Sequence, residues 1–481
     1  MKRFGGWGAL ETSRWSRPAW FVLLAAVLQA AAIRVALERL EAPVATAVIL
    51  GAPLGCLLLA AALRGAVASA ARLWRRLVWW HFLWALLFLS DLIIRVRDAN
   101  QIMDSPVDGW AAYRIALVGA VGFVLVARLA AGHSEWLRSL VRGLPGLLSL
   151  YAAVSLLSTF WSVYPAWTLY KSGEYLIDIA LVAAVLAGVR SDEEFKSLFD
   201  WTWLLLGALI IAVWAGVAVW PAEAIKRDVG LLGFQINGVM PQVAANGVGE
   251  LGALAAVIAF CRLIQSPWER RYRYVVVFGV ALLTVAFAQT RSAITGFLVG
   301  AAAVLFFSRR VGITAFLLIL IGVLAAQTSA ADLLWNYFRR GQSEQMFGSL
   351  SGRVDWWRQA WDRFMMRPWS GYGAYAGGRF AVLAETGQGA TSSLHNTYLE
   401  ILVGTSLWGL APVLAALAGT WWRLVRAPGR PLAVEAIGVL SVLTVRSVFT
   451  AHLIWHPALP FLLVLGYAEY LRRGWKEPFY A

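Results

Sequence analysis

Charged side chains are scarce in this sequence. Asp, Glu, Lys and Arg together make up only 14% of its 481 residues, whereas 60% of the residues are hydrophobic. A soluble globular domain usually carries about a quarter charged residues, so a chain of this composition has too much apolar surface for one aqueous core. The composition therefore excludes an ordinary soluble protein and predicts a membrane protein with many spans.

Cysteines and acidic residues are also few. The two cysteines, Cys56 and Cys261, lie in apolar segments, so we expect neither a disulfide framework nor a thiolate metal site. Lys and Arg outnumber Asp and Glu by 42 to 27, but these basic residues do not form one tract or stripe. They recur in short clusters between apolar runs, as in cytoplasmic loops, and we therefore expect no nucleic-acid partner.

Long apolar runs dominate what remains. A membrane-spanning helix needs about 20 mostly apolar residues, and the shorter runs here could be re-entrant, so we predict 12–14 spans. The fourteen candidates lie near residues 18–37, 43–63, 77–95, 113–132, 145–163, 172–189, 200–220, 243–264, 273–290, 292–308, 311–328, 397–422, 432–450 and 456–471. The predicted fold class is all-α: a polytopic transmembrane helical bundle with a long periplasmic loop that contains amphipathic helices.

The basic residues predict the orientation of this bundle. With the N-terminus inside, the predicted cytoplasmic segments hold 25 of the 42 Lys and Arg residues, and such an excess marks the cytoplasmic side. We therefore predict eleven spans within residues 1–328, with a cytoplasmic N-terminus. A large periplasmic loop follows at 329–394, and the C-terminal spans occupy 395–481, with a cytoplasmic C-terminus.

The predicted periplasmic loop contains an amphipathic helix. In "SGRVDWWRQAWDRFMMRPWSGYG", apolar and charged side chains fall on opposite faces at helical spacing, and Pro368 ends the pattern. Arg353 is the exception, because it projects near the apolar face at the start of the helix. Either the helix frays there and Arg353 is solvated, or this arginine has a function.

Further basic residues outside the spans are candidates for binding an anion. Arg291 stands between two spans, where a guanidinium either offers a planar set of donors to phosphate or reaches to lipid headgroups. Lys226 and Arg227 lie in a loop rich in Gly and Asn. Together with Arg291, Arg353 and Arg367 they could converge on a polyanion at the outer leaflet, such as a lipid-linked diphosphate.

Histidine is rare, with five residues in the chain. His395 precedes an apolar run in "SSLHNTYLEILVGTSLWGL", so it is either the polar cap of a helix or a base that accepts a proton from a sugar hydroxyl. His452 and His456 could bind a metal ion together, or be interfacial polar residues beside Trp455. No HExxH, DxD or GxSxG motif lies on the predicted outer face, and we expect no metal site and no cofactor.

Four stretches of the sequence resemble a known family. They are "LLSTFWSVYPAWTLYKSGEYL", "KRDVGLLGF" with "AANGVGELGAL", "AQTRSAITGFLVG", and "SGRVDWWRQAWDRFMMRPWSGYG" with "LHNTYLEILVGTSLWGL". Their WS-x-x-P, Arg…Gly…Asn-x-x-G, S/T-R-S/G-A, G-R…W…P-x-x-G-x-G and H-N patterns are similar to those of the bacterial O-antigen ligase and O-antigen or exopolysaccharide polymerase family. Its members share a C-type glycosyltransferase membrane fold. The resemblance covers roughly residues 155–410.

The resemblance implies roles for individual residues. Arg291 would bind the diphosphate of an undecaprenyl-linked donor, and His395 would be the essential histidine that acts as a base or orients the acceptor. Arg227, or Lys226 in its place, would be a second donor-binding residue, and Arg353 would be the arginine of the long loop. Three further matches could equally be scaffold: Ser292, Tyr372 and Asn396.

This resemblance implies an inner-membrane glycosyltransferase whose active site faces the periplasm and needs no metal ion. It would move a glycan from undecaprenyl diphosphate to lipid A–core if it is a ligase, or to another lipid-linked repeat unit if it is a polymerase. Membrane lipids would surround it. A metal-dependent transferase would instead need the carboxylates of Glu38 and Glu41. A transporter or flippase of a lipid-linked glycan would need ionisable residues facing one another within the spans, with candidates at Asp91, Asp178, Glu250 and Arg446.

Overall fold

The computed structural model describes residues 73–93, 99–105, 107–309, 328–385, 393–427 and 429–474. Two predicted spans, 18–37 and 43–63, lie outside these residues, as do Glu38, Glu41 and all but the last residue of the span 311–328. The other eleven predicted spans fall on helices.

Helices make up nearly all of the regular structure in the described ranges. The first group is α1 (Trp79–Ser90), α2 (Ala99–Asp104), α3 (Gly109–Ala130), α4 (Glu135–Leu140), α5 (Gly143–Leu157), a 3₁₀ turn (Ser158–Trp161), α6 (Pro165–Gly188), α7 (Asp192–Val219) and α8 (Pro221–Ala224). A hairpin of β1 (Ile225–Arg227) and β2 (Phe234–Ile236) follows, with Lys226 opposite Gln235 in antiparallel register.

The second group begins after the hairpin. It is α9 (Ala245–Gln265), α10 (Trp268–Ala288), α11 (Arg291–Phe307), α12 (Thr328–Arg339), α13 (Glu344–Gly348), α14 (Arg353–Met366), a π-helix (Gly377–Leu383), α15 (Thr397–Val425), α16 (Pro431–Ser447) and α17 (Leu459–Gly474). The predicted amphipathic helix of the long loop is therefore α14.

Six of the described helices are long and apolar enough to cross a membrane. They lie at Gly109–Ala130, Gly143–Trp161, Asp192–Val219, Ala245–Gln265, Arg271–Ala288 and Thr397–Val425, and α1 and α11 are shorter apolar helices. The structure thus confirms the predicted fold class, an all-α polytopic bundle. The helix at the predicted span 172–189 is α6, which carries three buried charged residues: Lys171, Glu174 and Asp178.

The helices α9, α11 and α16 form a closely packed group in the second half of the chain. A Cβ added to Gly300 of α11 would lie 2.9 Å from the carbonyl oxygen of Gly438 in α16, so small residues allow these two helices to approach. A Cβ on Gly249 of α9 would lie 2.7 Å from that of Thr290, which precedes α11. The starts of α9 and α11 therefore lie at one end of the bundle, which we call the site end.

A break in α15 attaches the long loop to the bundle. Ser406 has φ 63° and ψ −157°, which are not helical angles, so the carbonyl groups that precede it are available to other donors. The carbonyl oxygen of Val403 accepts a hydrogen bond from Tyr372 N at 2.8 Å, and that of Gly404 accepts one from Gly373 N at 2.9 Å. The glycine-rich part of the loop is therefore held against the first two turns of α15, immediately after His395.

Candidate functional site

The WS-x-x-P segment supports the same glycine-rich part of the loop. Trp161 Nε1 donates to the carbonyl oxygen of Ser370 at 2.7 Å. Gly373 has φ +98°, and a Cβ on it would overlap Ser162, so only glycine fits this position. Two motifs that are 200 residues apart in the sequence thus form one scaffold beneath the long loop.

Tyr372 belongs to this scaffold. Its side chain is buried, and the guanidinium carbon of Arg367 lies 4.7 Å from its ring centroid. Arg367 thus stacks on an aromatic ring, and its predicted convergence on an anion stays a prediction. We therefore assign Tyr372 a structural position rather than one at the substrate.

His395 lies where the long loop meets α15. Its backbone has φ +53°, in the left-handed region, and the residues on both sides of it are fixed. Leu394 N donates to Glu400 Oε2 at 2.9 Å, and the carbonyl oxygen of Leu394 accepts from Trp357 Nε1 at 2.9 Å. Asn396 is the N-cap of α15, because its Oδ1 accepts from two backbone N–H groups of the first turn, both at 3.0 Å.

The capping role therefore belongs to Asn396, and the imidazole of His395 is left for other contacts. Its ring stacks on that of Trp356 with 6.4 Å between centroids. Neither ring nitrogen has a hydrogen-bond partner among the residues that the structure describes. Burial lowers the pKa of His395 to about 4, and the positive charges of Arg353 and Arg446 lower it further in the same direction. The imidazole is therefore neutral at pH 7 and can accept a proton.

Three arginines surround this end of the loop and donate only to neutral oxygens. Arg291, the first residue of α11, donates to Gln342 Oε1, and its guanidinium carbon lies 4.8 Å from the ring centroid of Phe347. Arg340 donates to the carbonyl oxygen of Gln289 at 3.2 Å. Arg353 donates to the carbonyl oxygen of Phe449, also at 3.2 Å. None of the three has a carboxylate within 4.0 Å in the described ranges.

The charges of these arginines act on one another. Burial is the main cause that lowers the pKa of Arg353 to about 10, and the nearby charges of Arg446, Arg340 and Arg291 add to it. Burial also lowers the pKa of Arg340, whose Nε is buried without a partner among the described residues. We call Arg291, Arg340, Arg353 and Arg446 the arginine cluster.

Arg446 is the fully buried member of the arginine cluster. It donates to Glu250 Oε2 at 2.9 Å, to Ser292 Oγ at 3.0 Å and to the carbonyl oxygen of Asn246 at 3.1 Å. Glu250 balances its charge, so the net positive charge of the cluster comes from the other three arginines. Ser292 has a scaffold role, because its hydroxyl accepts from Arg446.

The family assignment follows from this part of the chain. Residues 275–414 match the family model described as O-antigen ligase, and this range contains Arg291, Arg340, Arg353 and His395. This part of the chain is similar to the O-antigen ligase family. This confirms the resemblance that the sequence motifs indicated. The search of curated proteins found no match.

Two predicted anion-binding residues lie outside the part of the chain that matches the family model. Lys226 and Arg227 are exposed on β1. The hairpin itself is anchored near Arg291, since Gln289 Nε2 donates to the carbonyl oxygen of Val229 at 3.0 Å. Neither basic side chain forms an ion pair or a hydrogen bond with the part of the chain that the structure describes. The structure therefore brings Arg291, Arg353 and His395 together, whereas Lys226 and Arg227 are exposed on the hairpin.

The two C-terminal histidines contact different partners. His456 Nδ1 lies 2.7 Å from Asp178 Oδ1, and its Nε2 lies 2.7 Å from Ser90 Oγ. His452 Nε2 lies 3.1 Å from the carbonyl oxygen of Leu443. Within the described ranges, no group of three or more His, Cys, Asp or Glu residues could hold a metal ion.

Sequence reasoning missed Arg340 and did not place Arg446 in the candidate site. Arg340 stands in "FRRGQ" within the long loop, where no periodicity distinguishes it from Arg339. Arg446 was considered only as a charge within a predicted span. The available signal was that α16 carries two charged residues, Glu435 and Arg446, in an otherwise apolar helix.

Proposed function

We propose that the protein is an O-antigen ligase that moves a glycan from undecaprenyl diphosphate to a sugar hydroxyl of lipid A–core, without a metal ion. In this proposal residues 1–328 and 395–481 span the inner membrane, both termini are cytoplasmic, and the loop 329–394 and the site end face the periplasm. The family assignment supports this class of reaction. The observation that carries it is the group of half-buried arginines without carboxylate partners.

A diphosphate supplies what these arginines lack. Removing a cation from water costs free energy unless an anion or several oxygens replace the water. Arg291, Arg340 and Arg353 each have a single oxygen partner among the described residues, so most of their N–H groups remain for a ligand. A guanidinium fits two phosphate oxygens at once through parallel N–H bonds. The four arginines and Glu250 sum to a charge of about +3, which is opposite in sign to that of a diphosphate diester anion and larger in magnitude.

His395 supplies the proton acceptor for the transfer. The acceptor hydroxyl gives its proton to a ring nitrogen of His395 while its oxygen forms a bond to the anomeric carbon. The bond from that carbon to the diphosphate oxygen breaks, and its electron pair leaves with the diphosphate. The arginines stabilise the charge that develops there. Direct displacement of this kind inverts the anomeric centre.

Binding of the donor would prepare His395 for this step. In the free protein, burial and two arginines hold its pKa near 4, where the imidazole is neutral but only weakly basic. A bound diphosphate offsets the positive charge of Arg353 and Arg446. The pKa of His395 then rises toward its usual value, so the imidazole becomes a stronger base when the donor is present.

Reconstitution tests this function. The purified chain is placed in liposomes with an undecaprenyl-diphosphate-linked glycan, with and without lipid A–core, and the products are separated by size. We expect one glycan joined per acceptor, no product from His395→Ala, and full activity in EDTA. Arg363→Gln is the matched control, because Arg363 lies in the same loop but pairs with Glu385.

Other products would overturn the assignment in defined ways. A ladder of lengthened lipid-linked glycans that forms without lipid A–core would show a polymerase, which uses the same donor chemistry. Loss of activity in EDTA would contradict the metal-independent mechanism. Transport of the lipid-linked glycan without any glycosidic bond formation would show the transporter alternative instead.

A further inference from the structure

A cavity lies between the starts of α3 and α6, apart from the arginine cluster. Its volume is about 250 Å³. Five aromatic residues line it: Trp110, Tyr113, Tyr164, Trp167 and Tyr170. Arg114, Lys171 and Asp108 also line it, so ring faces and charged groups meet in one small space. We call it the aromatic cavity.

The two cations of the aromatic cavity are held in place by one buried carboxylate. Arg114 Nε donates to Glu174 Oε1 at 2.6 Å, and Lys171 Nζ donates to Glu174 Oε2 at 2.7 Å. The Lys171 ammonium also lies 4.6 Å from the ring centroid of Tyr170. The geometry of both cations is therefore fixed before any ligand arrives.

Two donors at the aromatic cavity remain for a ligand. Arg114 uses Nε and Nη2 on Glu174 and on the carbonyl oxygen of His456, but its Nη1 has no partner among the described residues. The indole N–H of Trp167 is buried and also lacks a partner within the described part of the chain. A buried donor without an acceptor costs free energy, so the indole N–H of Trp167 is satisfied best when an oxygen atom occupies the cavity.

We infer that the aromatic cavity binds one sugar ring of a glycan. Indole and phenol faces stack on the C–H face of a sugar, and fixed Arg, Lys and indole N–H groups donate to its hydroxyl and ring oxygens. A lipid tail would leave these donors unsatisfied. The volume is just below the range of about 300–1,000 Å³ for drug-sized ligands, which suits one ring rather than a whole oligosaccharide.

The aromatic cavity is connected to the loop that carries His395. Tyr164 packs on Phe380 of the π-helix with 4.9 Å between ring centroids, and the guanidinium carbon of Arg379 lies 5.3 Å from the ring centroid of Trp167. No member of the arginine cluster lines the cavity. The cavity would therefore hold a sugar away from the reacting carbon, and this inference rests on the proposed glycosyl transfer for its biological ligand.

A binding experiment on an inactive protein tests the cavity separately from the reaction. His395→Ala is purified in detergent, and its affinity for core oligosaccharide released from lipopolysaccharide and for the free repeat-unit oligosaccharide is measured by titration calorimetry. We expect Trp110→Ala and Tyr113→Ala, each added to this background, to weaken binding of one oligosaccharide about tenfold. Trp408→Ala, which removes an exposed tryptophan from α15, should leave binding unchanged.

The two oligosaccharides distinguish the source of the sugar. Weaker binding of core oligosaccharide alone assigns the cavity to the acceptor, and weaker binding of the repeat-unit oligosaccharide alone assigns it to the donor glycan. Equal binding by the cavity variants and the background protein, or no binding of either oligosaccharide, overturns the inference. The proposed function fails by a different readout, namely the absence of a transfer product from the wild-type chain.

Discussion

Arg262 and Arg291 lie at opposite ends of the helical bundle, and they have different kinds of partner. Arg262, near the end of α9, donates to Glu435 Oε2 at 2.7 Å and lies 2.7 Å from Asp200 Oδ1. Arg291, at the site end, donates to the side-chain amide oxygen of Gln342. One arginine is surrounded by carboxylates, and the other has none among the described residues.

The same contrast holds for further residues at the two ends. Beside the end of α15, the buried carboxylate of Glu469 pairs with both Arg423 and Arg472. At the site end, Arg340 and Arg353 donate to backbone carbonyl oxygens only. Since an unpaired buried cation is costly, a protein that tolerates several of them in one place has a use for their charge. We propose that the paired arginines hold helices together and that the unpaired ones bind an anion.

Arg291→Gln should show the contrast between the two ends most strongly, because it should lower activity without lowering stability. It removes a cation that would stabilise the departing diphosphate, and the loss of one such group lowers turnover about a hundred- to a thousandfold. Because no ion pair is broken, the apparent melting temperature should stay the same or rise. Initial rates in proteoliposomes and a thermal unfolding curve in detergent measure the two effects, with Arg363→Gln as the paired control from the long loop. A large loss of stability in Arg291→Gln would mean that Arg291 is structural after all.

Glu435→Gln should give the reverse pattern. It removes a carboxylate that is almost fully buried and leaves Arg262 with Asp200 alone, which costs about 3 kcal/mol of stability. The apparent melting temperature should fall clearly, while the rate per folded molecule stays within about twofold. The control is Glu385→Gln, which breaks an exposed pair worth at most about 1 kcal/mol. Equal melting temperatures for Glu435→Gln and Glu385→Gln would show that the buried ion pairs at the Arg262 end of the bundle do not contribute more stability than an exposed pair.

The sequence predicted one side of this contrast better than the other. Apolar runs of about 20 residues indicated the helical bundle, because their length is set by the membrane itself. Motif resemblance indicated Arg291, Arg353 and His395, which the structure brings together. Arg340 could not be identified in the same way, since its place in the cluster depends on a contact with Gln289, 51 residues earlier in the chain.

Tertiary packing also determines the roles of residues for which the sequence left alternatives open. Asn396 and His395 are adjacent in the sequence, and either could have capped α15. The cap geometry assigns that role to Asn396, whereas His395 takes a left-handed backbone angle and turns to Trp356. The sequence predicted Lys226 and Arg227 in the anion site. In the structure both side chains are exposed on a short hairpin. In a loop, no periodic pattern in the sequence shows in which direction a side chain points.

Arg340→Gln should weaken anion binding by about tenfold, a smaller effect than the loss of Arg291. Its guanidinium has one hydrogen bond to the described residues and a buried Nε, so we expect it to be a secondary donor to the diphosphate. Titration of the detergent-purified chain with inorganic pyrophosphate measures the change. Arg339→Gln is the neighbouring control, because Arg339 donates to the carbonyl oxygen of Gln342 and lies 3.9 Å from Glu344. Equal losses in the two variants would show a general charge effect instead of a site.

The smallest expected effect is on the pH dependence of transfer. The acidic limb of the pH–rate profile should move along the pH axis. A base must be neutral to act, so the rate falls as the pH drops through the pKa of His395. The limb of kcat/KM reports the free protein and should lie near pH 4, whereas the limb of kcat reports the donor complex and should lie at higher pH. Arg353→Gln removes a positive charge that lowers this pKa, so it should move the kcat/KM limb upward, while Arg363→Gln should not. A kcat/KM limb at the same pH in Arg353→Gln and wild type would show that the arginine cluster does not act on His395.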